Sequence, residues 1–372
     1  MLTGEPLQPP ISGLRLRMLH LARALGRRFD VEVAALGAGE SGHTEPFTVL
    51  PAGRQRSPLH SLLTSPRRPH MAARLDSPTM RQLAARATWG TVQAEQPFLV
   101  PAALRANVPV VLDAHNIEAD VLRRVAAEEP RRLHRLRWAW EAAKTQRFER
   151  AAVGAATAVV ATSDEDAAIL ESLGARQVVL VPNGVDTAAL PAGTVEPGAM
   201  LLYVGHFGYR PNSLAAAELV DEILPRVHEE LPGASVRLVG RAPSKGLRDR
   251  AGASVEVFPD VPDVVPHLRA ARALVVPLRA GGGTRLKVLE ALSAGLPVVS
   301  TAFGVSGLEV RDGEHVLLAE TPADLARCAI RVIEDDDLAR QLADNGRRLV
   351  EQRYDWSVVA EPLAALHEEL GR

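Results

Sequence analysis

Cysteine is nearly absent: Cys328 is the single one in 372 residues. An intramolecular disulfide is excluded, and so is a metal cluster built on several cysteines. No run approaches the roughly 20 apolar residues of a membrane span. The opening segment MLTGEPLQPPISG also lacks the basic-then-apolar layout of a signal peptide. The expectation is a soluble cytoplasmic protein. No glycosidase-like pair of carboxylates stands out, and an Asp-x-Asp metal signature after a strand is not evident, the acidic clusters having a plainer reading. Asp335, Asp336 and Asp337 read as a turn and helix cap, and Asp164, Glu165 and Asp166 as the acidic first turn of a helix after Ser163. No metal, no cofactor beyond a co-substrate and no nucleic-acid partner are expected.

Acids are also scarce in one stretch of the first half. Arg54, Arg56, Arg67, Arg68, Arg74, Arg81 and Arg86 have only Asp76 among them. That excess suits an anionic surface or substrate, and equally a solvated arginine-rich helical face. It keeps peripheral contact with the inner face of a membrane open. The halves differ accordingly: residues 1–190 carry 23 Lys+Arg against 19 Asp+Glu, and residues 191–372 carry 20 against 26.

What is present is an alternation of short β-branched runs with amphipathic helical stretches. The strand candidates are 31–36, 47–50, 108–112, 158–161, 178–181, 200–204, 236–239, 255–258, 274–276 and 297–300. Between them, residues 16–25, 131–152, 213–231 and 287–294 read as helices. This predicts an α/β protein with two parallel βαβ sheets. The Pro/Gly-rich segment 187–199 marks the boundary, giving domains 1–190 and 191–355, with a C-terminal helix at 356–372 packing back on the first. Only Met1–Thr3 precede the first loop, so the opening strand is expected to be vestigial or the natural start to lie upstream.

The stretch GGGTRLKVLEALSAGLPVVS, Gly281 to Ser300, follows a buried strand and opens a helix. Gly281, Gly282 and Gly283 allow backbone N–H groups to approach a phosphate at the positive helix end. Thr284 can cap the helix or offer its hydroxyl to the phosphate. Lys287 and Glu290 are one turn apart on one face. Lys287, with Arg285, is placed for an anion, and Glu290 for two vicinal hydroxyls of a ribose. Taken without its context, the same pattern also fits an ordinary surface Lys–Glu pair. In the first half, His115 stands at the end of the strand PVVLD, where it can meet a ligand hydroxyl or phosphate or be a satisfied structural residue. Asn116 and Glu118 can orient it or touch a second ligand, and Asp113 can serve as a loop cap.

Further motifs run nearly end to end: PPISGLRLRMLHLARAL, VVLDAHNIEADVLRR, VVATSDEDAAIL, VPNGVD, LLYVGHFGYRPN, VRLVGR, VPLRAGGGTRLKVLEALSAGLPVVST and RYDW. With them the chain resembles the retaining glycosyltransferases of family 4, or group 1, whose GT-B fold sets two Rossmann-like domains across a cleft. The resemblance implies a nucleotide-sugar donor held mainly by the C-terminal domain. Glu290 matches the ribose-binding glutamate, and Arg285 and Lys287 match diphosphate ligands. Gly205, His206, Arg210, Asn212 and Arg241 fall in the donor-side loops. Gly13 resembles the N-terminal glycine loop, with Leu14 where a second glycine is usual. Gly282 replaces a glutamate that often contacts the donor sugar. Arg15, Asn116 and Glu118 are acceptor-side candidates. The acceptor class stays open among saccharides, lipid-linked groups and small molecules, within polysaccharide or glycoconjugate biosynthesis.

The expected activity is metal-independent retaining transfer, with His115, Arg285 and Lys287 as the catalytic set. A sugar-nucleotide epimerase of the same architecture and an inactive donor-binding partner subunit are the alternatives.

Overall fold

The computed structural model describes residues 1–8, 13–39, 42–44, 46–57, 67–86, 89–193, 198–281 and 285–372. The chain divides into two compact units, one of Met1–Asn183 with Val359–Arg372, the other of Gly184–Val358. The division thus falls at 183/184, slightly ahead of the Pro/Gly-rich segment at which the sequence places it.

Among the described residues, unit 1 is built on β1 (Leu2–Thr3), β2 (Val31–Ala35), β3 (Gly42–Thr44), β4 (Phe47–Pro51), β5 (Val92–Ala94), β6 (Val110–Ala114), β7 (Ala158–Ala161) and β8 (Val178–Leu180). Their order is β3-β4-β2-β1-β5-β6-β7-β8, parallel apart from the β3–β4 pair. The opening strand is only two residues long, yet it lies in the middle of the sheet, with Leu2 opposite both Ala34 and Ala94. Neither β1 nor β5 is long enough to show an alternating pattern, which is why the sequence offers no strand there. Helix α1 (Gly13–Gly26) buries Met18, Leu21, Ala22 and Leu25, the i, i+3, i+4, i+7 stripe of a core-facing helix.

β6 is buried along its whole length, as a parallel strand covered on both faces must be. Its Asp113 is fully buried and requires a countercharge. Arg17 of α1, itself 2% exposed, supplies it: Nη2 donates to Oδ1 and Oδ2 at 3.2 and 3.1 Å, and Nε to Oδ2 at 3.2 Å. Nη1 also donates to the Pro182 carbonyl at 2.9 Å. The pair therefore pins α1 to the central sheet and to the end of the chain segment leaving β8.

Helix α2 (Glu118–Glu128) has no side-chain cap of its own. The buried Glu149 of α3 (Arg132–Ala155) accepts from the Glu118 and Ala119 N–H groups at 2.8 and 3.3 Å instead. Within the same unit, His367 on the terminal helix Glu361–Leu370 is held by Gln93 Oε1 and Thr91 Oγ1, both at 2.8 Å. Burial pulls that imidazole down to about 4, so it is neutral.

Unit 2 carries β9 (Met200–His206), β10 (Ser235–Arg241), β11 (Val255–Pro259), β12 (Ala273–Val276), β13 (Val298–Ser300) and β14 (Leu317–Leu318) in the order β11-β10-β9-β12-β13-β14. All the pairings are parallel. The helix expected over 213–231 is interrupted: α4 (Arg210–Glu218) passes through a π-turn at Leu219–Ile223 into a helix at Leu224–Glu230. Pro225 has no N–H to continue the ladder, which accounts for the wider turn. Asp335 caps the helix Asp336–Arg353, and Ser163 caps Asp164–Ser172, so the acidic clusters are helix starts.

Because removal of one partner strands the other charge in the core, Arg17→Met should cost about 3–5 kcal/mol in unfolding free energy. The double change Arg17→Met with Asp113→Leu should recover part of that loss. Urea unfolding measures both; a single variant within about 1 kcal/mol of the parent would show that the pair does not hold unit 1 together.

Candidate active site

In unit 2 the carboxyl ends of the strands bring several predicted residues together. Gly205 lies near the carboxyl end of β9, and Gly240 lies opposite it on β10 at φ +151°. A Cβ at Gly240 would sit 1.7 Å from the Gly205 carbonyl oxygen, so only glycine lets the two backbones pass. A Cβ at Gly205 would come within 3.2 Å of Lys287 Nζ and 3.1 Å of Asn212 Cγ. The bare glycine is what leaves space for the lysine.

Lys287 rises from the first turn of α5 (Leu286–Ser293). Its ammonium donates to Asn212 Oδ1 at 2.9 Å and to the Tyr203 hydroxyl at 3.1 Å, and lies 4.2 Å from the Tyr203 ring centre. The Tyr203 hydroxyl in turn donates to Asn212 Oδ1 at 2.9 Å, and Asn212 Nδ2 donates to the His206 carbonyl. These partners are neutral. Burial therefore draws Lys287 down to about 7, with the neighbouring Arg285 charge acting the same way and Glu290 opposing. Burial likewise pushes Tyr203 above its ordinary range, so the phenol stays protonated.

One turn along, the Glu290 carboxyl makes no hydrogen bond or ion pair to another described residue. Burial pushes its carboxyl up to about 7, against the pull of Lys287. Arg285 occupies the N-cap position of α5, and its own side chain does not cap the helix. Its guanidinium is drawn aside, donating to the Phe303 carbonyl at 3.0 Å and Ser306 Oγ at 2.9 Å and stacking 4.8 Å over the Phe303 ring. His206 and Arg241 pair in register at the ends of β9 and β10 and are exposed, as is Arg210 at the start of α4. Gly281 has φ +120°, open only to glycine without strain. Gly282, Gly283 and Thr284 lie outside the described residues.

In unit 1 the neighbours of His115 are not those expected from the sequence. Neither Asn116 nor Glu118 hydrogen-bonds to it, although the Glu118 carboxyl is near enough to interact with its charge. Its Nε2 lies 3.2 Å from Glu95 Oε2 and its Nδ1 3.6 Å from Asp113 Oδ1. Neither approach has hydrogen-bond alignment, so these are close electrostatic contacts of buried groups. Glu95 Oε1 accepts from Gln93, which continues the network to His367. Asp113, read as a possible loop cap, is instead the partner of Arg17. Glu118 has its carboxyl raised by burial, with His115 opposing. Arg15 is paired with Glu5 at 2.8 Å, and Gly13 is the exposed first residue of α1.

Glu95, Asp113 and His115 bring three ligand atoms within 4.8 Å of one another, a spacing open to a metal ion. Arg17 already engages both oxygens of Asp113, however, and a cation there would face a buried guanidinium. A cavity of about 670 Å³ in unit 1, lined in part by Leu25, Phe29, Trp89 and His367, contains none of the predicted site residues. The chemistry-bearing clusters, not that cavity, define the candidate site. Sequence reasoning missed Glu95 and Tyr203. Tyr203 lies within an apolar strand and reads as core, whereas the signal for Glu95 was a lone acid just after a run too short to recognise.

Comparison with known proteins agrees with this architecture. A family profile described as Glycosyltransferase Family 4 matches residues 11–189, and one described as Glycosyl transferases group 1 matches residues 198–335. The phosphatidyl-myo-inositol mannosyltransferase of Mycobacterium tuberculosis is 31% identical over 215 residues, which cover 54% of this chain and 56% of that protein. The chain spans about half the length of the curated relatives it matches. Sucrose-phosphate synthase from Thermosynechococcus elongatus superimposes with a TM-score of 0.69 at 20% identity, over 99% of this chain and 98% of that one. Anabaena Alr3699/HepE in complex with UDP and glucose gives 0.71 at 17% identity over 99% of both chains. At those identities the likeness speaks for the fold alone. The fold is GT-B, an α/β fold of two Rossmann-like units, and the profile matches in both halves support a glycosyltransferase of that type.

Proposed function

We propose that this chain is a metal-independent, retaining glycosyltransferase that moves a sugar from a nucleoside diphosphate sugar to an acceptor hydroxyl. The observation that carries the reading is Lys287: a half-buried ammonium that, among the described residues, is held by neutral oxygens and an aromatic ring, one turn from a carboxyl that makes no hydrogen bond to any of them. A cation in that state gains most from an anion that displaces no existing countercharge. The donor diphosphate supplies one, and Glu290 receives two ribose hydroxyls. As the glycosidic C–O bond breaks, negative charge grows on the departing diphosphate. Lys287, Arg285 and the N-terminal N–H groups of α5 then stabilise the transition state more than the ground state. The acceptor oxygen bonds to the anomeric carbon on the same face, and its proton passes to the departing phosphate. His115 contributes to turnover through the transferred sugar. The positive charge of Lys287 and Arg285 does what a divalent cation would otherwise do.

Lys287→Ala and Glu290→Ala should each weaken nucleoside diphosphate binding by about 1.5–3 kcal/mol, or roughly 10- to 150-fold, measured by calorimetry. Unchanged affinity in both would refute the site. Binding should also be strongest near pH 7. Above about 7 the Lys287 amine is neutral in the free protein and must gain a proton to hold the diphosphate. Below about 7 Glu290 is protonated and must lose one to accept both hydroxyls. Glu290→Gln should therefore remove the acidic limb of the profile, and Lys287→Arg the alkaline limb. A profile that is flat from pH 6 to 8 in the parent protein would contradict this assignment.

His115→Ala should lower kcat while leaving the donor Kd close to the parent value; unchanged kcat would make the residue structural. Nucleotide release should depend on acceptor, preserve anomeric configuration and survive EDTA. Donor interconversion without acceptor would show an epimerase, and no release with any of a broad acceptor panel an inactive donor-binding subunit. Loss of activity in EDTA, restored by a divalent ion, would overturn the metal-free reading.

A further inference from the structure

Apart from the site, the most unusual surface of unit 1 is the hairpin formed by α2 and α3. The second half of α3 is anchored: Phe148, Ala152 and Val153 pack in the core cluster of the unit. Its first half is not. Every residue from Arg132 to Trp140 is exposed except the half-buried Trp138. Leu133 is 80% exposed, Leu136 67% and Trp140 61%, and Val121 and Val125 of α2 are exposed as well. Single exposed apolar side chains are ordinary, but three large ones aligned on one helix are not.

At about 100° per residue, Leu133, Leu136 and Trp140 share a sector of roughly 60°. Arg132 falls on one side of that sector and Arg137 on the other. The segment 131–140 holds four arginines, Arg131, Arg132, Arg135 and Arg137, and no acid. Exposed Arg67 and Arg68 join the same side, since Lys144 of α3 donates to the Arg68 carbonyl at 3.1 Å. The nearby acids are largely occupied: Glu141 pairs with Lys144, and Asp120 with Arg123.

We infer that this hairpin is a docking surface for an anionic lipid bilayer, with Leu133, Leu136 and Trp140 entering the interface and the flanking arginines meeting the headgroups. The charge pattern selects this occupant. A second copy related by twofold symmetry would bring the same arginines against one another with no acidic complement. An anionic membrane surface offers negative charge at the rim and an apolar layer beneath it, the two chemistries the helix face presents. Tryptophan at the end of the apolar stripe nearest the anchored half of the helix suits the boundary between them. No helix among the described residues is long and apolar enough to cross a membrane, so the contact is interfacial. The inference concerns the surface and does not depend on the transfer chemistry.

The test is co-sedimentation of the full chain with vesicles of phosphatidylcholine alone or with about one third phosphatidylglycerol, at low and high salt. Two variants accompany it: Leu133→Ser with Leu136→Ser and Trp140→Ser, and Arg132→Gln with Arg135→Gln and Arg137→Gln. These side chains are exposed, and far-UV circular dichroism melts should be unchanged. The parent should partition into anionic vesicles at least ten-fold more than into neutral ones, less so at high salt. Each variant should lose at least ten-fold of that partitioning. Failure of the parent to bind anionic vesicles, or equal binding by both variants, would overturn the inference. So would self-association of the parent by light scattering that the apolar variant abolishes, since the face would then belong to a second copy.

Discussion

The buried pairing of Arg17 with Asp113 is the constraint on which unit 1 depends. A carboxylate in the middle of a fully buried parallel strand is tolerated only if a cation meets it there, and α1 delivers that cation from 96 residues away in sequence. The pair orders more than itself. Arg17 reaches the Pro182 carbonyl, while Asp113 faces His115, whose other nitrogen faces Glu95. From Glu95 the polar chain runs through Gln93 to His367 on the terminal helix. The pair itself is satisfied by hydrogen bonds, whereas both His115 nitrogens and Glu95 Oε2 are buried beside it without one.

Unit 2 treats its buried charge in the opposite way. Among the described residues Lys287 has good hydrogen bonds but no anionic partner, and the Glu290 carboxyl has no hydrogen bond. Both are held near neutrality, where binding of an anion and of hydroxyls can shift them. In unit 1 the buried carboxylate of Asp113 is answered by a guanidinium, whereas among the described residues of unit 2 Lys287 has no such countercharge. The difference follows from what lies beside each group: a guanidinium for Asp113, a phenol and an amide for Lys287. The hairpin of α2 and α3 is a third arrangement, with arginines kept in solvent around apolar side chains that have no protein partner. Its base is fixed to the core, so the exposed half is presented at a set angle to the sheet.

Much of this was legible along the chain. The ten strand runs read from the sequence all correspond to observed strands, because β-branched residues in short apolar runs between helices have few other uses. The one-turn spacing of Lys287 and Glu290 after a glycine loop required only helical geometry. The caps at Ser163 and Asp335 followed from local hydrogen-bonding chemistry. β1, β3, β5 and β14 were not read, since each is only two or three residues long and, unlike the equally short β8 and β13, contains no pair of adjacent β-branched residues. The π-turn within the helix expected over 213–231 was not read either, although Pro225 marks it.

The sequence by itself determined the α/β architecture, the order of strand, glycine loop and helix around Lys287, and the surplus of arginine in the first half. All of these are properties of neighbouring residues. Only the tertiary structure decided which charges are answered. Tyr203 is 84 residues from Lys287, Arg17 is 96 from Asp113, and Gln93 is 274 from His367. No local pattern specifies such pairs, because they arise when the sheet brings distant strand ends together and the exclusion of water forces each polar group to find a partner or go without.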